Sequence, residues 1–418
     1  MLFGMLDRFL SLAERDPRAV AIIDGGAVIT RAALVARAEE IASGLGGMSP
    51  GDPLAIQLRN SVDFVATFLA ALKLDLVLLP IDRDAAPAEM AAARNVAVAP
   101  FPPGTRLIKL TSGSAGQPKA IFTSEANLIA DCENICATMG ITPADINLGA
   151  IPFSHSYGFS NLVTPLILQG TAVVVTNDYL PQSLIDLANE HRCTVAPLIP
   201  IVFDHLATAG HGAFETVRTF ISAGAPLPPQ TSRRFRERFG IDIHSFYGCS
   251  ETGGITYDRR GAAVERGTVG SAMEGVELSI EDSRLTVRSR SVAGGSFVTD
   301  DLVALSEEGE LVLTGRASDL INTAGKKVNP REVEAVILQI EGVREAKVYG
   351  EAAGARGEVV AAAVVATADV TREQVRAFCR THLSLHKVPR IVKLIDVMPV
   401  DERGKIRRAA LAALSAES

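Results

Sequence analysis

The chain has 418 residues, of which 47% are hydrophobic and 21% charged, a globular composition long enough for two or more domains and too apolar for intrinsic disorder. Its net charge of −7 argues against a general nucleic-acid binder. Five cysteines, Cys132, Cys136, Cys193, Cys249 and Cys379, stand without a CxxC pair, which points to a reduced compartment and away from a zinc module.

The N-terminal stretch carries Asp7, Arg8, Glu14 and Arg15 at helical spacing, which is not the pattern of a signal peptide. The best candidate for a membrane span, 162–175, is interrupted by Pro165, Gln169 and Gly170 and is shorter than the roughly 20 residues a span needs. A cytoplasmic protein with no membrane span is expected. In chain order, apolar periodicity predicts helices over 32–44, 61–72, 127–139, 181–191 and 229–239. Between them, short apolar runs at 55–58, 76–79, 172–175 and 195–199 read as buried strands. This alternation predicts an α/β chain with parallel sheets covered by helices. Cys132 and Cys136, four apart in the 127–139 helix, share one face rather than a metal. After Gly315-Arg316 the pattern restarts on a smaller scale: helix 330–339, strands 346–349 and 359–365, helix 371–383, strand 391–395. The predicted domains are therefore 1–316 and 317–418. From 381 to 410 seven basic residues face three acids, a local +4, which suits either a solvated helix surface or a landing site for an anionic partner.

Two lysine loops stand far apart. Thr111, Ser112, Gly113, Ser114, Ala115, Gly116, Gln117, Pro118 and Lys119 form a hydroxyl- and glycine-rich segment. In a Walker loop Gly precedes Lys directly and Ser or Thr follows, whereas here Gln117-Pro118 intervenes and Ala120 follows. Proline disfavours helix at the residue before it, so an extended loop is expected. Near the other end, Lys405 sits in Met398-Pro399-Val400-Asp401-Glu402-Arg403-Gly404-Lys405, a Pro- and Gly-bounded turn. Four segments lie between. Phe153-Ser154-His155-Ser156-Tyr157-Gly158 places a histidine after a strand, and Ser222-Ala223-Gly224-Ala225-Pro226 is a small-residue strand end where a flat ring can lie. Tyr247-Gly248-Cys249-Ser250-Glu251-Thr252-Gly253-Gly254 offers an aromatic face, a metal-binding carboxylate and a hydroxyl. Thr299-Asp300-Asp301, followed by Gly315-Arg316, supplies a carboxylate for two ribose hydroxyls and an arginine for phosphate.

In this order the set resembles the adenylate-forming superfamily of acyl- and aryl-CoA synthetases, nonribosomal-peptide adenylation domains and luciferases, over nearly the whole chain. The resemblance implies a large N-terminal domain of stacked mixed β-sheets flanked by helices, plus a small mobile α+β C-terminal domain. It implies that a carboxylic acid reacts with Mg-ATP to give an acyl-adenylate and pyrophosphate, and that a thiol then captures the acyl group. It assigns Thr111, Ser112, Gly113, Ser114, Gly116 and Lys119 to the β- and γ-phosphates, Glu251 to Mg²⁺ and Thr252 to the region of the α-phosphate. Tyr247, Gly248 and the Ser222, Ala223, Gly224, Ala225, Pro226 segment would enclose adenine, Asp301 would bind ribose, and Arg316 ribose or phosphate. Lys405 would bridge carboxylate and α-phosphate until the small domain swings and brings in Gly325-Lys326. His155 would close the acyl pocket or gate the thiol channel.

Several positions depart from that pattern. Ala115 removes a hydroxyl from the phosphate loop, Asp300 replaces the glycine of Thr-Gly-Asp, and Ser318 stands where the hinge commonly has Asp or Lys. The large domain is shortened between Leu79 and the phosphate loop and between Gly254 and Thr299, which predicts a more open acyl pocket or a homodimer covering the gap. Gly158, Gly224 and Gly248 are expected to leave room for the acyl group. The acyl pocket is expected around 155–163, 222–225 and 248–254, and no acidic side chain stands in the first two of these to greet an α-amino group, so an aryl or medium-chain acid is expected over an amino acid. The acceptor is coenzyme A, or the phosphopantetheine of an acidic acyl carrier protein. A non-catalytic adenylate-binding protein is the remaining alternative.

Overall fold

The computed structural model describes residues 4–112, 118–209, 211–323, 326–352, 358–367 and 369–399. The chain divides into two compact units: residues 1–279 with 286–297 and 305–311, and residues 280–285 with 298–304 and 312–418.

In the larger unit, nine strands form one sheet in the order Ser271–Ala272, Gly253–Tyr257, Ile243–Cys249, Thr219–Ser222, Val195–Leu198, Ile146–Gly149, Ala172–Val175, Val20–Asp24 and Ala27–Thr30. From Val20–Asp24 to Ile243–Cys249 the pairings are parallel, and the outer pairings are antiparallel. Ala172–Val175, Val195–Leu198 and Thr219–Ser222 are buried along their whole length, as strands must be when helices cover both faces. A second sheet runs Pro53–Ile56, Val77–Pro80, Thr105–Ser112, Pro118–Ser124. Its first three strands are parallel and the last antiparallel. The strands Val276–Glu281, Arg284–Ser289, Ser296–Leu305 and Leu311–Arg316 make a further sheet in that order.

Helix starts follow local capping chemistry. The hydroxyl of Ser61 accepts from Phe64 N–H to open Val62–Lys73, and that of Ser124 accepts from Asn127 N–H to open Glu125–Met139. Glu125–Met139 ends on Gly140, whose φ of 65° is the left-handed cap that glycine adopts freely. Val62–Lys73 is buried continuously from Phe64 to Leu72, the mark of a helix enclosed within the core. Around it Phe64 meets Phe153 and Phe68 meets Phe159 edge to face, with ring centroids 5.5 and 5.0 Å apart. Under the other part of the large sheet, Phe203, Phe220 and Phe235 form a second aromatic core.

The smaller unit carries the sheet Val343–Ala352, Glu358–Ala366, Ile391–Leu394, antiparallel then parallel. Val360, Ala362 and Val364 pack with Val333 and Ile337 of the helix Pro330–Ile337 and with Val375 and Cys379 of Arg372–His382. The predicted mixed α/β class is thus the observed one. Cys132 and Cys136 are both buried on Glu125–Met139, with sulfurs 3.8 Å apart. Among the described residues no helix is long and apolar enough to cross a membrane.

Candidate active site

The hairpin Thr105–Ser112 and Pro118–Ser124 sets Thr111 opposite Lys119 and Ser112 opposite Pro118. The phosphate-loop segment therefore leaves and re-enters one sheet. Gly113, Ser114 and Gly116, together with Ala115, lie outside the described residues, and for Ser112 only the backbone is described. Lys119 Nζ reaches Glu251 Oε1 at 3.2 Å, its side chain 57% exposed and that of Glu251 21%. Two motif segments 132 residues apart thus share one contact.

Glu251 stands on a reversal between Ile243–Cys249 and Gly253–Tyr257, where Cys249 pairs with Gly253 and Gly248 with Gly254. The reversal is tight enough that a Cβ on Gly248 would collide with the carbonyl oxygen of Gly253. Beneath it lies Asp131, buried on Glu125–Met139, which accepts from Gly254 N–H at 2.9 Å and from Ser160 Oγ at 2.7 Å. Thr252 is fully buried and its hydroxyl donates to the Gly253 carbonyl at 3.0 Å, while Ser291 Oγ donates to the Thr252 carbonyl at 2.8 Å. Lys109, buried on Thr105–Ser112, points its ammonium at the Ser250 carbonyl, 3.4 Å away. Burial lowers its pKa, and the negative charges of Asp131 and Glu251 oppose that shift. Burial likewise pushes the Cys249 thiol up to about 11, which keeps it protonated and unreactive at neutral pH.

His155 precedes the short helix Ser156–Gly158. The chain before it is pinned by buried Asn60, whose amide donates to the carbonyls of Gly149 and Ile151 (3.1 and 2.7 Å) and accepts from Phe153 N–H (2.7 Å). His155 Nε2 lies 3.2 Å from Asp82 Oδ2. Ser156 and Ser250 share a hydrogen bond of 2.8 Å, which ties this turn to the one bearing Glu251. The Tyr157 hydroxyl donates to the carbonyl of Ile221 at 2.9 Å, at the C-terminal end of Thr219–Ser222, and its ring lies 5.7 Å from that of Phe246. Burial raises the Tyr157 pKa well above the usual phenol value, so it remains a donor. Ligands of open α/β sheets collect at these carboxyl ends of parallel strands. There Ser222 Oγ is buried without a hydrogen-bond partner among the described residues, a polar group that a ligand can satisfy. Ala223 is buried, Gly224, Ala225 and Pro226 are exposed, and Tyr247 is half-buried.

One expectation is corrected. Gly158 and Gly248 do not leave room for an acyl group, because the space a Cβ would take is filled by the carbonyl of Pro152 in one case and of Gly253 in the other. These glycines permit backbone to approach backbone. Gly224, at φ 86°, is required by the left-handed turn after its strand.

In the smaller unit, Asp301 Oδ1 accepts from Arg316 Nε at 3.0 Å. Two of the departures noted above contact each other: Ser318 N–H donates to Asp300 Oδ1 at 3.2 Å, and its hydroxyl donates to Asp300 Oδ2. Lys326 is exposed on the hairpin Ile321–Thr323 and Lys326–Val328. Gly325 and Lys405 lie outside the described residues.

Residues 9–101 and 97–315 match the AMP-binding enzyme family, and residues 332–405 its C-terminal domain. The chain belongs to the AMP-binding enzyme family. It is similar to the putative acyl-CoA synthetase YngI of Bacillus subtilis, with 27% identity over an alignment of 343 positions that covers 73% of this chain and 62% of that protein. It is similar also to the 3,4-dihydroxybenzoate–aryl-carrier protein ligase of Bacillus anthracis, 26% identical over 317 residues, 73% of each chain. The ATP-bound crystal structure of MatB from Rhodopseudomonas palustris superposes with a TM-score of 0.83 at 25% identity over 98% of both chains.

In this AMP-binding enzyme the motifs located Lys119 and Glu251, and the structure joins them. Sequence reasoning missed Lys109, Asp131 and Asp82. Lys109 shares a strand face with buried Leu107, two residues before it, and Asp131 falls on the buried stripe of Leu128 and Ile135. A charge on a buried stripe was the available signal for both. Asp82 had no such signal, since its partner lies in another segment.

Proposed function

We propose that this AMP-binding enzyme uses ATP to convert a carboxylic acid to an acyl-adenylate with release of pyrophosphate, then passes the acyl group to a thiol. The observation that carries the reading is the Lys119–Glu251 contact at 3.2 Å: a phosphate-loop cation and a metal-type carboxylate from distant segments neutralise each other. Attack of a carboxylate on a polyphosphate brings anions together, and positioned cations stabilise the charge that develops on phosphorus. In this reading Lys119 and the hydroxyl and amide groups of 111–116 hold the β- and γ-phosphates. Lys405 serves both carboxylate and α-phosphate as a point charge that can be withdrawn, Asp301 takes the ribose hydroxyls and Arg316 ribose or phosphate. Tyr247 and Ser222 contact the base, Thr252 keeps the Glu251 turn in shape, and the smaller unit exchanges Lys405 for Lys326 between steps.

The donor set fits Mg²⁺. Glu251 offers one partly exposed carboxylate, and among the described residues there is no group of three metal-ligating side chains. Mg²⁺ takes one or two carboxylates plus the phosphates of its nucleotide instead of an all-protein cage. Bound at Glu251, the ion would offset phosphate charge.

Aryl and medium-chain acids are the preferred substrate class, because segments 155–163 and 222–225 contain no acidic residue to meet an amino group and Tyr157 pairs its ring with Phe246. Coenzyme A is the preferred acceptor. The basic 381–410 stretch and the aryl-carrier relative favour an acidic carrier protein as the second reading. A homodimer is proposed to cover the shortened large domain, and sizing chromatography checks it.

ATP–pyrophosphate exchange across aryl, short, medium and long acids, with no thiol present, tests the reading. Exchange with one class supports it and names the acid; silence across the panel, with ATP binding shown separately, favours the non-catalytic alternative. With the active acid, Lys405→Ala should lower exchange by about 10²–10³-fold at unchanged thermal stability, and undiminished exchange removes Lys405 from the mechanism.

A further inference from the structure

His155 is held at both ends of its contact with Asp82. The loop after Val77–Pro80 is clamped by the Gln57 amide, which donates to the carbonyls of Asp82, Arg83 and Ala85 at 3.1, 2.9 and 3.1 Å. Asp84 N–H donates to Asp82 Oδ1 at 3.2 Å, and Asp82 Oδ2 faces His155 Nε2 at 3.2 Å. On the other side, His155 N–H donates to the Pro152 carbonyl at 3.1 Å, in the segment that Asn60 pins. The two backbones are thus fixed while the side chains stay open, His155 37% and Asp82 26% exposed. Nε2 is engaged by a carboxylate, and no hydrogen bond to Nδ1 forms among the described residues. A carboxylate on one ring nitrogen selects the tautomer that leaves the other as a base.

We propose that Asp82 and His155 form a dyad for the transfer half-reaction, in which Asp82 positions His155 and His155 Nδ1 takes the proton of the incoming thiol. The inference rests on the adenylation reading above. The carboxylate that attacks ATP is already ionised at neutral pH, so adenylation needs no base. A thiol with a pKa near 8.5 is mostly protonated there, with only a few per cent thiolate, and does need one. In the step, the S–H proton goes to Nδ1 and the sulfur pair forms a C–S bond at the acyl carbon. The bond from that carbon to the phosphate oxygen breaks, and its electrons leave with AMP. The proton then passes to water. Ser156, next to His155, is bonded to Ser250, next to Glu251, so the base stands on a turn stitched to the one that carries the metal carboxylate. The chemistry requires a thiol acceptor of the pantetheine type, free or carrier-bound.

The test compares the two half-reactions in Asp82→Asn, using the acid that gives exchange. Thioester formation from enzyme-bound adenylate is followed with pantetheine, an alkyl thiol, and with thiophenol, an arenethiol already ionised at neutral pH. The ratio of pantetheine transfer to pyrophosphate exchange should fall about 10–100-fold in Asp82→Asn, less than the roughly 10²–10⁴-fold a positioned base contributes, because His155 itself is still present. The ratio for thiophenol should stay within about 3-fold, and Asp82→Glu should restore most of the loss. Exchange serves as the folding control. Equal slowing of both thiols, a parallel fall of exchange and transfer, or no change in either overturns the dyad. Absence of exchange with every acid in the parent enzyme overturns the adenylation reading, and the dyad with it.

Discussion

Glu310 and Glu251 are glutamates of the same unit, and they are held in opposite ways. Glu310 is 9% exposed and accepts from Arg260 (2.8 Å), from Arg266 through two nitrogens (3.2 and 3.1 Å) and from Thr268 (2.6 Å). Arg266 also reaches buried Asp258, whose other oxygen accepts from Ala263 N–H. Glu251 instead has, among the described residues, one ion pair, to a lysine largely in water. The first arrangement is saturated, so any loss leaves buried partners unpaired. The second is a single half-exposed pair worth about 0–1 kcal/mol, and a ligand can replace either partner cheaply. The charge of Glu310 is networked, whereas Glu251, proposed for function, meets one lysine among the described residues.

The largest break in that contrast should come from Glu310. Against the desolvation that would raise it, hydrogen bonds from Arg266, Thr268 and Arg260 hold its carboxyl down at about 2, below the ordinary 4.5. A depressed folded-state pKa stabilises the fold fully above about pH 4.5, and the contribution is lost as pH falls towards 2. The displacement corresponds to about 3 kcal/mol. Glu310→Gln should unfold about 2–4 kcal/mol more easily in urea at pH 7, because Arg266 and Arg260 lose a shared buried carboxylate. Its stability should also fall less than that of the parent between pH 5 and 3. A parent-like acid profile in the variant would place the acid sensitivity elsewhere.

Asp131 comes next. It supports the reversal that carries Glu251 through Gly254 N–H and Ser160 Oγ, and it offsets the charge of buried Lys109. Asp131→Ala leaves both donors unpaired and removes the largest offset to the Lys109 ammonium, an expected loss of about 1–3 kcal/mol. Calorimetry measures that loss. The double variant with Lys109→Met should recover part of it, because the buried cation is then gone as well. An additive double variant would show that Lys109 and Asp131 do not interact.

What the sequence made legible divides along the same line. Ala172–Val175 is an unbroken apolar run with three valines and was found at its full extent, and Pro229–Phe239 was found because Pro opens it and Gly240 closes it. Motif residues were legible where one short segment carries the chemistry, as with Glu251 and Lys119. Partners were not: Asp82 lies far along the chain from His155, and Asp131 lies 123 residues from Gly254. Nothing in either segment encodes the pairing. The glycines misled for a related reason. Absence of a side chain at Gly158 and Gly248 read as space, but another stretch of backbone fills it. Asp300 and Ser318 read as two separate departures, and the hydrogen bonds between them show that they are one local substitution.

The smallest expected effect on stability belongs to Lys119, and it is the most telling. Its ammonium is more than half exposed and meets one carboxylate, so Lys119→Met should change unfolding free energy by less than about 1 kcal/mol. If Lys119 holds the β- and γ-phosphates, the same variant should lower pyrophosphate exchange by about 10². The apparent requirement for Mg²⁺ should fall too, because Glu251 no longer has to leave its lysine before meeting the ion. Titration of exchange against magnesium at fixed ATP separates the two roles. Lower exchange with an unchanged magnesium midpoint would leave Lys119 as a phosphate ligand and show that its pairing with Glu251 does not compete with the metal. Unchanged exchange together with lost stability would reverse the contrast, making Lys119–Glu251 a structural pair like those around Glu310.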